Sequence, residues 1–383
     1  MQRVSRAIIV LTMLLGCTGC YTSATPLPIV IGHVSDKTRL DKAGDQAELG
    51  IRLALHEANK DGALTELFTG RKIEVHHTDA RGDLDKFESQ AVRLDSVNRC
   101  LALFGGLSPA ETAALNHAKL PLLTFHGQPV SGANNQVIYL GMSPERQGVV
   151  LAKTVAEDEK ASRIVVLMDE RRAESTAFSE SFQKTLEEAR KQTKGVPPVI
   201  LALRFGKDAK WSDLVERIGT HDPDAVVFAG NVQDFNSWHK VYRRELFRNQ
   251  PTQIVYAGAD GDHRLFDLEG DEKTAVLLAT AFYADPGAEK ITAFMKAYRE
   301  AFKTEADVHA ALAYDGFRIL IEAIKRTPTQ LTPERVREEL LQTKDLAGLT
   351  GPLTITSERE VQRMLFVMRW QNGVLTMQKT FAP

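Results

Sequence analysis

Leu101-Ala102-Leu103-Phe104, followed after a short loop by a helical stretch from Pro109 to Lys119, is the unit whose repetition decides the fold. A short β-rich apolar run feeding a longer helical periodicity is the building block of α/β domains with parallel sheets. Two such units precede it. Val30-Ile31 opens a strand, and Leu49 and Leu53 with the flanking Ile51 and Ala54 form a helical stripe that stops near Asn59-Lys60-Asp61-Gly62. Ile73 and Val75 alternate as a second strand, and Phe87, Ala91, Leu94 and Val97 recur at helical spacing. Consecutive units of this kind make a doubly wound half.

A second half begins after Met142-Ser143-Pro144. A helix near Arg146 to Glu157 leads into the buried-strand run Ile164-Val165-Val166-Leu167-Met168. Further strands read at Val199-Ile200-Leu201-Ala202, Ala225-Val226-Val227-Phe228 and Ile254-Val255-Tyr256, with helices between them. An apolar strand near Leu277 to Tyr283 precedes helices at Ile291 to Phe302 and Val308 to Lys325. The C-terminal stretch changes character: Leu353-Thr354-Ile355, Met364-Leu365-Phe366-Val367-Met368 and Leu375-Thr376-Met377 read as antiparallel strands, with Asn372-Gly373 as a hairpin turn. No internal repeat or Pro/Gly-rich linker separates the halves. The sequence therefore predicts two packed lobes joined by short crossings.

At the N-terminus, Arg3 and Arg6 lead a short apolar run from Ala7 to Leu15, the pattern of a secretory signal. The run is about half of the roughly 20 residues that span a bilayer, which argues against a permanent membrane helix. Leu14-Leu15-Gly16-Cys17-Thr18-Gly19-Cys20 resembles the bacterial lipobox, in which a cysteine thiol is acylated. Cys17 and Cys20 both qualify as that cysteine. The resemblance implies a processed protein, from residue 17 or 20 onward, anchored by lipid outside the cytoplasm in the periplasm or at the cell surface.

The 48 basic and 50 acidic side chains give a formal charge of −2, and loss of Arg3 and Arg6 leaves 46 against 50. A near-neutral surface without Lys/Arg clusters excludes nucleic acid as a partner, because that binding rests on phosphate neutralisation. Beyond the lipobox the only cysteine is Cys100, so no disulfide framework is expected; beside Leu101-Ala102-Leu103-Phe104 it reads as a buried small hydrophobe.

The chain resembles the type I periplasmic binding proteins of the branched-chain amino acid (Leu/Ile/Val) transport group. The resemblance rests on Ile29-Val30-Ile31-Gly32, on Gly50-Ile51-Arg52-Leu53-Ala54 before Glu57-Ala58-Asn59, and on Gly70-Arg71-Lys72-Ile73-Glu74-Val75. It continues through Asp79 with Gly82-Asp83, Phe104-Gly105-Gly106-Leu107-Ser108, Pro121-Leu122-Leu123, Pro223-Asp224-Ala225-Val226, Ala310-Ala311-Leu312-Ala313-Tyr314-Asp315 and Gly351-Pro352-Leu353-Thr354. It implies two doubly wound Rossmann-like lobes joined by a three-stranded hinge, residues 28–143 with 284–350 and residues 144–283 with 351–383. It further implies a small-molecule ligand trapped between the lobes, an ABC permease as membrane partner, and no enzymatic activity or cofactor.

The same resemblance places the site. Its first-lobe clamp corresponds to Ser108, Glu111 and Thr112 and to the next loop, Phe125, His126 and Gln128; its clamping serine falls on Pro109 and its later Ala-Thr pair on Gln128-Pro129. Its second-lobe acid falls on Asp260 within Gly258-Ala259-Asp260-Gly261, and its aromatic is replaced within Asp169-Glu170-Arg171-Arg172-Ala173-Glu174. Asp169, Glu174 and Asn231 complete the candidate ligand-binding set. Glu111, Glu174 and Asp260 near the opening favour an amine-bearing ligand. Tyr314, between Ala311, Phe317 and Ile321, reads as lobe packing. An alternative reading is a ligand-sensing or regulatory lipoprotein acting on an envelope partner.

Other chemistry is poorly supported. His76-His77 with Asp79 carries metal-ligand residue types, but neighbouring strand side chains point to opposite faces, so no metal is assigned. Ser108 and His126 invite a hydrolase reading, yet Ala110 stands where a nucleophile elbow needs glycine. Neither a phosphate loop nor Gly-x-Gly-x-x-Gly is present.

Overall fold

The computed structural model describes residues 26–61, 66–130, 136–157, 161–192, 197–246, 253–268, 274–327 and 329–383. The signal segment, both candidate lipidation cysteines Cys17 and Cys20, and Gly62 lie outside the described residues. No described helix is long and apolar enough to cross a membrane.

Five strands, β1 (Ile29–Ser35), β2 (Ile73–Asp79), β3 (Leu103–Gly105), β4 (Leu122–Thr124) and β5 (Val137–Tyr139), form a parallel sheet in the order β2-β1-β3-β4-β5. Helices α1 (Ala43–Lys60), α2 (Leu84–Ser96) and α3 (Pro109–Leu115) make the first crossovers. The order reverses direction beside β1, which creates a crevice at the carboxyl ends of β1 and β3.

The second sheet repeats this plan. β6 (Arg163–Asp169), β7 (Val199–Phe205), β8 (Ala225–Ala229), β9 (Gln253–Ala257) and β10 (Val276–Thr280) are parallel, and β14 (Leu365–Gln371) and β15 (Val374–Phe381) extend them antiparallel, giving β15-β14-β10-β9-β8-β6-β7. Its helices are α4 (Pro144–Ala156), α5 (Ala173–Gln192), α6 (Trp211–His221) and α7 (Val232–Glu245). The chain then returns to the first lobe through α8 (Glu289–Phe302), α9 (Val308–Lys325) and α10 (Pro333–Leu341), and a small antiparallel sheet, β11 (Leu346–Ala347), β12 (Pro352–Ile355) and β13 (Val361–Gln362), precedes the last passage to β14.

Helix α9 is apolar on almost every side and is buried along nearly its whole length, as such a helix must be. It packs along α1, where the Tyr314 hydroxyl donates to Glu57 Oε2 at 2.5 Å, so Tyr314 holds two helices of the lobe together. Cys100 is 2% exposed and its thiol is pushed up to about 12 by burial, the behaviour of a core residue. Asn372 and Gly373 have φ of 53° and 74°, the left-handed pair that a two-residue hairpin turn requires. Differences from the sequence reading are local. The Pro109 helix stops at Leu115 with Asn116 as its C-cap, and Val97 lies at the exposed end of α2 rather than on its buried stripe.

Candidate functional site

Loops from the carboxyl ends of both sheets meet in a cleft. A cavity of about 130 Å³ is walled by Leu107, Ser108 and Pro109 after β3, by His126 and Gln128 after β4, and by Met142, Pro144 and Gln147 at the crossing. Its opposite wall is Arg172, Glu174, Ser175 and Phe178 after β6, Gly230 after β8, and Ala257, Gly258 and Ala259 at the end of β9. A neighbouring cavity of about 350 Å³ shares Leu107, Ser108, Arg172, Gly230 and Ala259 with the first, and adds Arg39, Asp41, Asn231, Gln233 and Asp262. The two are one continuous cleft.

Ser108 is the N-cap of α3, where its Oγ accepts the Glu111 N–H at 3.3 Å while Glu111 Oε2 accepts the Leu107 N–H at 2.7 Å. This is a reciprocal capping arrangement, which occupies both side chains. Glu111 is therefore corrected: its carboxylate is folded back and buried, with its pKa raised by burial, and it does not bring charge into the cleft.

Thr112 is also behind the wall. The Gln128 N–H donates to His126 Nδ1 at 3.1 Å, which leaves the imidazole proton on Nε2 to donate to Thr112 Oγ1 at 2.8 Å. Thr112 then donates to Thr124 Oγ1 at 2.7 Å, and Thr124 to the Gly106 carbonyl at 2.8 Å. The chain of bonds fixes the ring, and burial lowers its pKa to about 4, so it is neutral near pH 7. His126 thus faces the cleft with a ring whose nitrogens are already engaged. Phe125, on the opposite face of the chain, is corrected from ligand wall to core: it is 4% exposed and stacks on Phe104 at 6.3 Å between centroids.

On the second lobe, Asp169 is fully buried and held by Arg171, Nε to Oδ1 at 2.7 Å and Nη2 to Oδ2 at 2.8 Å, so it positions a loop and leaves nothing for a ligand. Glu174 does line the cleft and is paired with Arg172 at 2.6 Å. Asn231 caps α7 by accepting the Asp234 N–H at 2.8 Å, and its exposed edge borders the larger cavity. Asp260 is corrected as well. Its carboxyl turns toward the crossing, where Oδ1 accepts the Ala281 N–H at 3.4 Å and burial raises its pKa. The acid of this loop that borders the cleft is Asp262, whose Oδ2 accepts the Tyr256 hydroxyl at 2.6 Å and the Ala259 N–H at 3.1 Å.

Sequence reasoning missed Arg172, Gln147, Phe178 and the Arg39–Asp41 pair. Phe178 lies one helical turn beyond Glu174, so the aromatic wall is supplied from within α5 rather than from the loop before it. Gln147 Nε2 donates to the Gly258 carbonyl at 3.0 Å and so fixes the opposite rim. Arg39 is bidentate to Asp41 at 3.1 and 2.5 Å; Arg172, held by Glu174 through one nitrogen at 2.6 Å, is the cation that borders both cavities. The N-termini of α3, α5 and α7 all border the cleft, and although Ser108 and Asn231 cap amides of α3 and α7, the positive ends of the helix dipoles favour anionic groups. Ser108 caps α3 and both His126 nitrogens serve the scaffold.

Two doubly wound sheets of matching strand order, with a cleft walled from both, define a two-lobed solute-binding protein of the type I periplasmic fold. The chain belongs to the periplasmic binding protein family, whose model matches residues 28–374, and such proteins are extracytoplasmic and non-enzymatic. Among solved structures, it is similar to a leucine-binding protein from Thermotoga maritima, with TM-score 0.74, 21% identity, and 93% of this chain and 99% of that chain covered. The branched-chain amino acid transporter substrate-binding protein of Streptococcus pneumoniae in complex with isoleucine gives 0.74 at 21% identity over 93% and 100% of the two chains. An ABC transporter solute-binding protein from R. palustris in complex with 4-hydroxybenzoate gives 0.75 at 16% identity over 93% and 97%. Among curated protein sequences nothing matches at a significant level.

Proposed function

We propose that this protein is the lipid-anchored receptor of an ABC importer, capturing a small carboxylate-bearing solute, amino-acid-like or aromatic, and delivering it to a membrane permease. The observation that carries the reading is Arg172, which pairs one guanidinium nitrogen with Glu174 and borders, with three helix N-termini, a cleft lined by both lobes. The lobes are residues 28–143 with 284–350 and residues 144–283 with 351–383, and the anchor is Cys17 or Cys20. A ligand touching both walls stabilises only the closed arrangement, so capture is a population shift. With Glu111 and Asp260 turned away, the preference for a cationic or amine-bearing ligand loses two of its three acids; Glu174 remains at the cleft to meet an amino group.

Related structures carry leucine, isoleucine and 4-hydroxybenzoate, each a small carboxylate with an apolar body, and Leu107, Met142 and Phe178 offer such a body a dry wall here. Calorimetry with branched-chain and aromatic amino acids, benzoates and polyamines tests the proposal. Binding of one of the acids, weakened about tenfold or more by Arg172→Ala, is the expected result. Binding of polyamines alone would refute the carboxylate assignment.

A further inference from the structure

We propose that His33, His77 and Glu48 form a binding site for a divalent transition cation, zinc above all, inside the first lobe. The parallel register of β1 and β2 sets His33 directly beside His77, so both imidazoles leave the same face of the sheet. Glu48 reaches them from α1, and one ligating atom of each of the three residues lies within 4.8 Å of the others. Two imidazoles and a carboxylate are a zinc donor set that leaves a fourth position for water. The sequence reading set a metal aside because His76 and His77 point apart. That holds, since Asn98 Nδ2 donates to His76 Nδ1 at 3.0 Å; the partner of His77 comes from the neighbouring strand instead.

The distances fit. His33 Nδ1 and His77 Nδ1 are 3.0 Å apart, while two nitrogens at zinc-bond length in a tetrahedron are about 3.4 Å apart, so the rings need separate by only a few tenths of an ångström. The two Nδ1 atoms share one proton across their 3.0 Å contact, and a metal ion that takes both nitrogens displaces it, so binding is coupled to movement of that proton. His33 Nε2 has no described partner, so the proton can move there and leave Nδ1 for the metal at the cost of one buried unpaired N–H, about 1–3 kcal/mol. Phe125 meets His33 edge-on at 6.3 Å, which sets this cluster behind the cleft wall and separate from the solute.

Two cations compete for the same carboxylate. Lys37 Nζ lies 2.7 Å and Arg52 Nη2 2.6 Å from Glu48, with their side chains 38% and 51% exposed, so either can swing into solvent when a dication replaces it. Removing Lys37 should therefore tighten metal binding, an effect that a merely structural His–His hydrogen bond does not produce.

The test titrates zinc, and cobalt as its visible-absorbing surrogate, into the mature chain with Cys17 and Cys20 changed to serine. One saturable site is expected, weakened about 10–100-fold by His77→Ala or Glu48→Gln, since even outer partners of metal ligands carry that much. Lys37→Met is expected to strengthen it. Circular dichroism confirms that each variant is folded, and His33→Ala is avoided because that ring is wholly buried. Absence of a saturable site, or equal affinity in folded His77→Ala, overturns the proposal.

Discussion

Arg264 and Asp307 join the two lobes directly: Arg264 Nη1, in the loop after β9, lies 2.5 Å from Asp307 Oδ2, at the start of α9. The same Asp307 caps α9, its Oδ1 accepting the Ala310 N–H at 2.9 Å, and beside it His309 Nε2 bonds the Asp260 carbonyl at 3.0 Å. One side chain therefore both starts a helix of the first lobe and latches the second. A partly exposed ion pair contributes about 0.2–1 kcal/mol. Arg264→Ala should thus widen the cleft in solution scattering and weaken solute binding by about two- to fivefold. Asp307→Asn, which keeps the cap, should do the same and lose only the ion pair's share of stability, whereas Asp307→Ala should cost about 1 kcal/mol more.

His126 sets an acid limit. Its folded pKa of about 4 lies below the ordinary 6.5, because burial disfavours the charged ring and Nδ1 is already an acceptor for Gln128. A depressed histidine stabilises the fold fully above pH 6.5 and loses that contribution as pH falls toward 4, when the unfolded chain takes up the proton first. The slope is at most about 1.4 kcal/mol per pH unit for one proton. His33, His77 and His263 are depressed by burial as well and contribute in the same window, so in urea unfolding between pH 8 and pH 4.5 His126→Gln should lower the slope by at most one proton's share; an unchanged slope would remove His126 as a contributor.

Asp260 and Asp262 should separate cleanly. Asp262→Ala strips the acceptor from the buried Tyr256 hydroxyl and from Ala259, at a cost of about 1–3 kcal/mol, and slackens the loop that walls the cleft. Solute affinity should fall with it. Asp260→Asn keeps an acceptor for Ala281 and should leave affinity unchanged in the same titration.

What could be read from the sequence was whatever periodicity encodes. Ile164 to Met168 has no polar alternation and became an interior strand buried on both faces, and Asn372-Gly373 announced its hairpin because both positions need positive φ. The three-residue strand β5 carries too few residues for any period to register. The site was harder. Ser108, His126, Gln128, Glu174 and Asn231 do border the cleft, because loops after sheet strands must. Glu111 and Thr112 in the first turn of α3, Phe125 after β4, Asp169 at the end of β6 and Asp260 after β9 stand at the same end of the sheets but point elsewhere, since position along the chain does not specify which way a side chain turns once a cap, a guanidinium or a backbone amide competes for it. Phe178 went unnoticed because its role arises from the face of a helix meeting the opposite lobe, and Arg172 because it sits in the loop just before that helix, where charge alone does not mark a site.

Gly50 gives the sharpest packing test. It lies where α1 meets α9, and a Cβ there would stand 2.2 Å from the Ala310 carbonyl oxygen, backbone that cannot move aside alone. Its φ is not in the left-handed region, so in an isolated helix alanine would be favoured by about 1 kcal/mol. Close approach outweighs propensity here. Gly50→Ala should destabilise the protein by about 1–3 kcal/mol in chemical denaturation, because α9 must lift from α1 and strain the Tyr314–Glu57 bond. Since Asp307 leads into the same helix, the displaced helix should also shift the lobe latch, and solute affinity should fall together with stability; a variant as stable as the parent would show that the two helices have slack at their crossing.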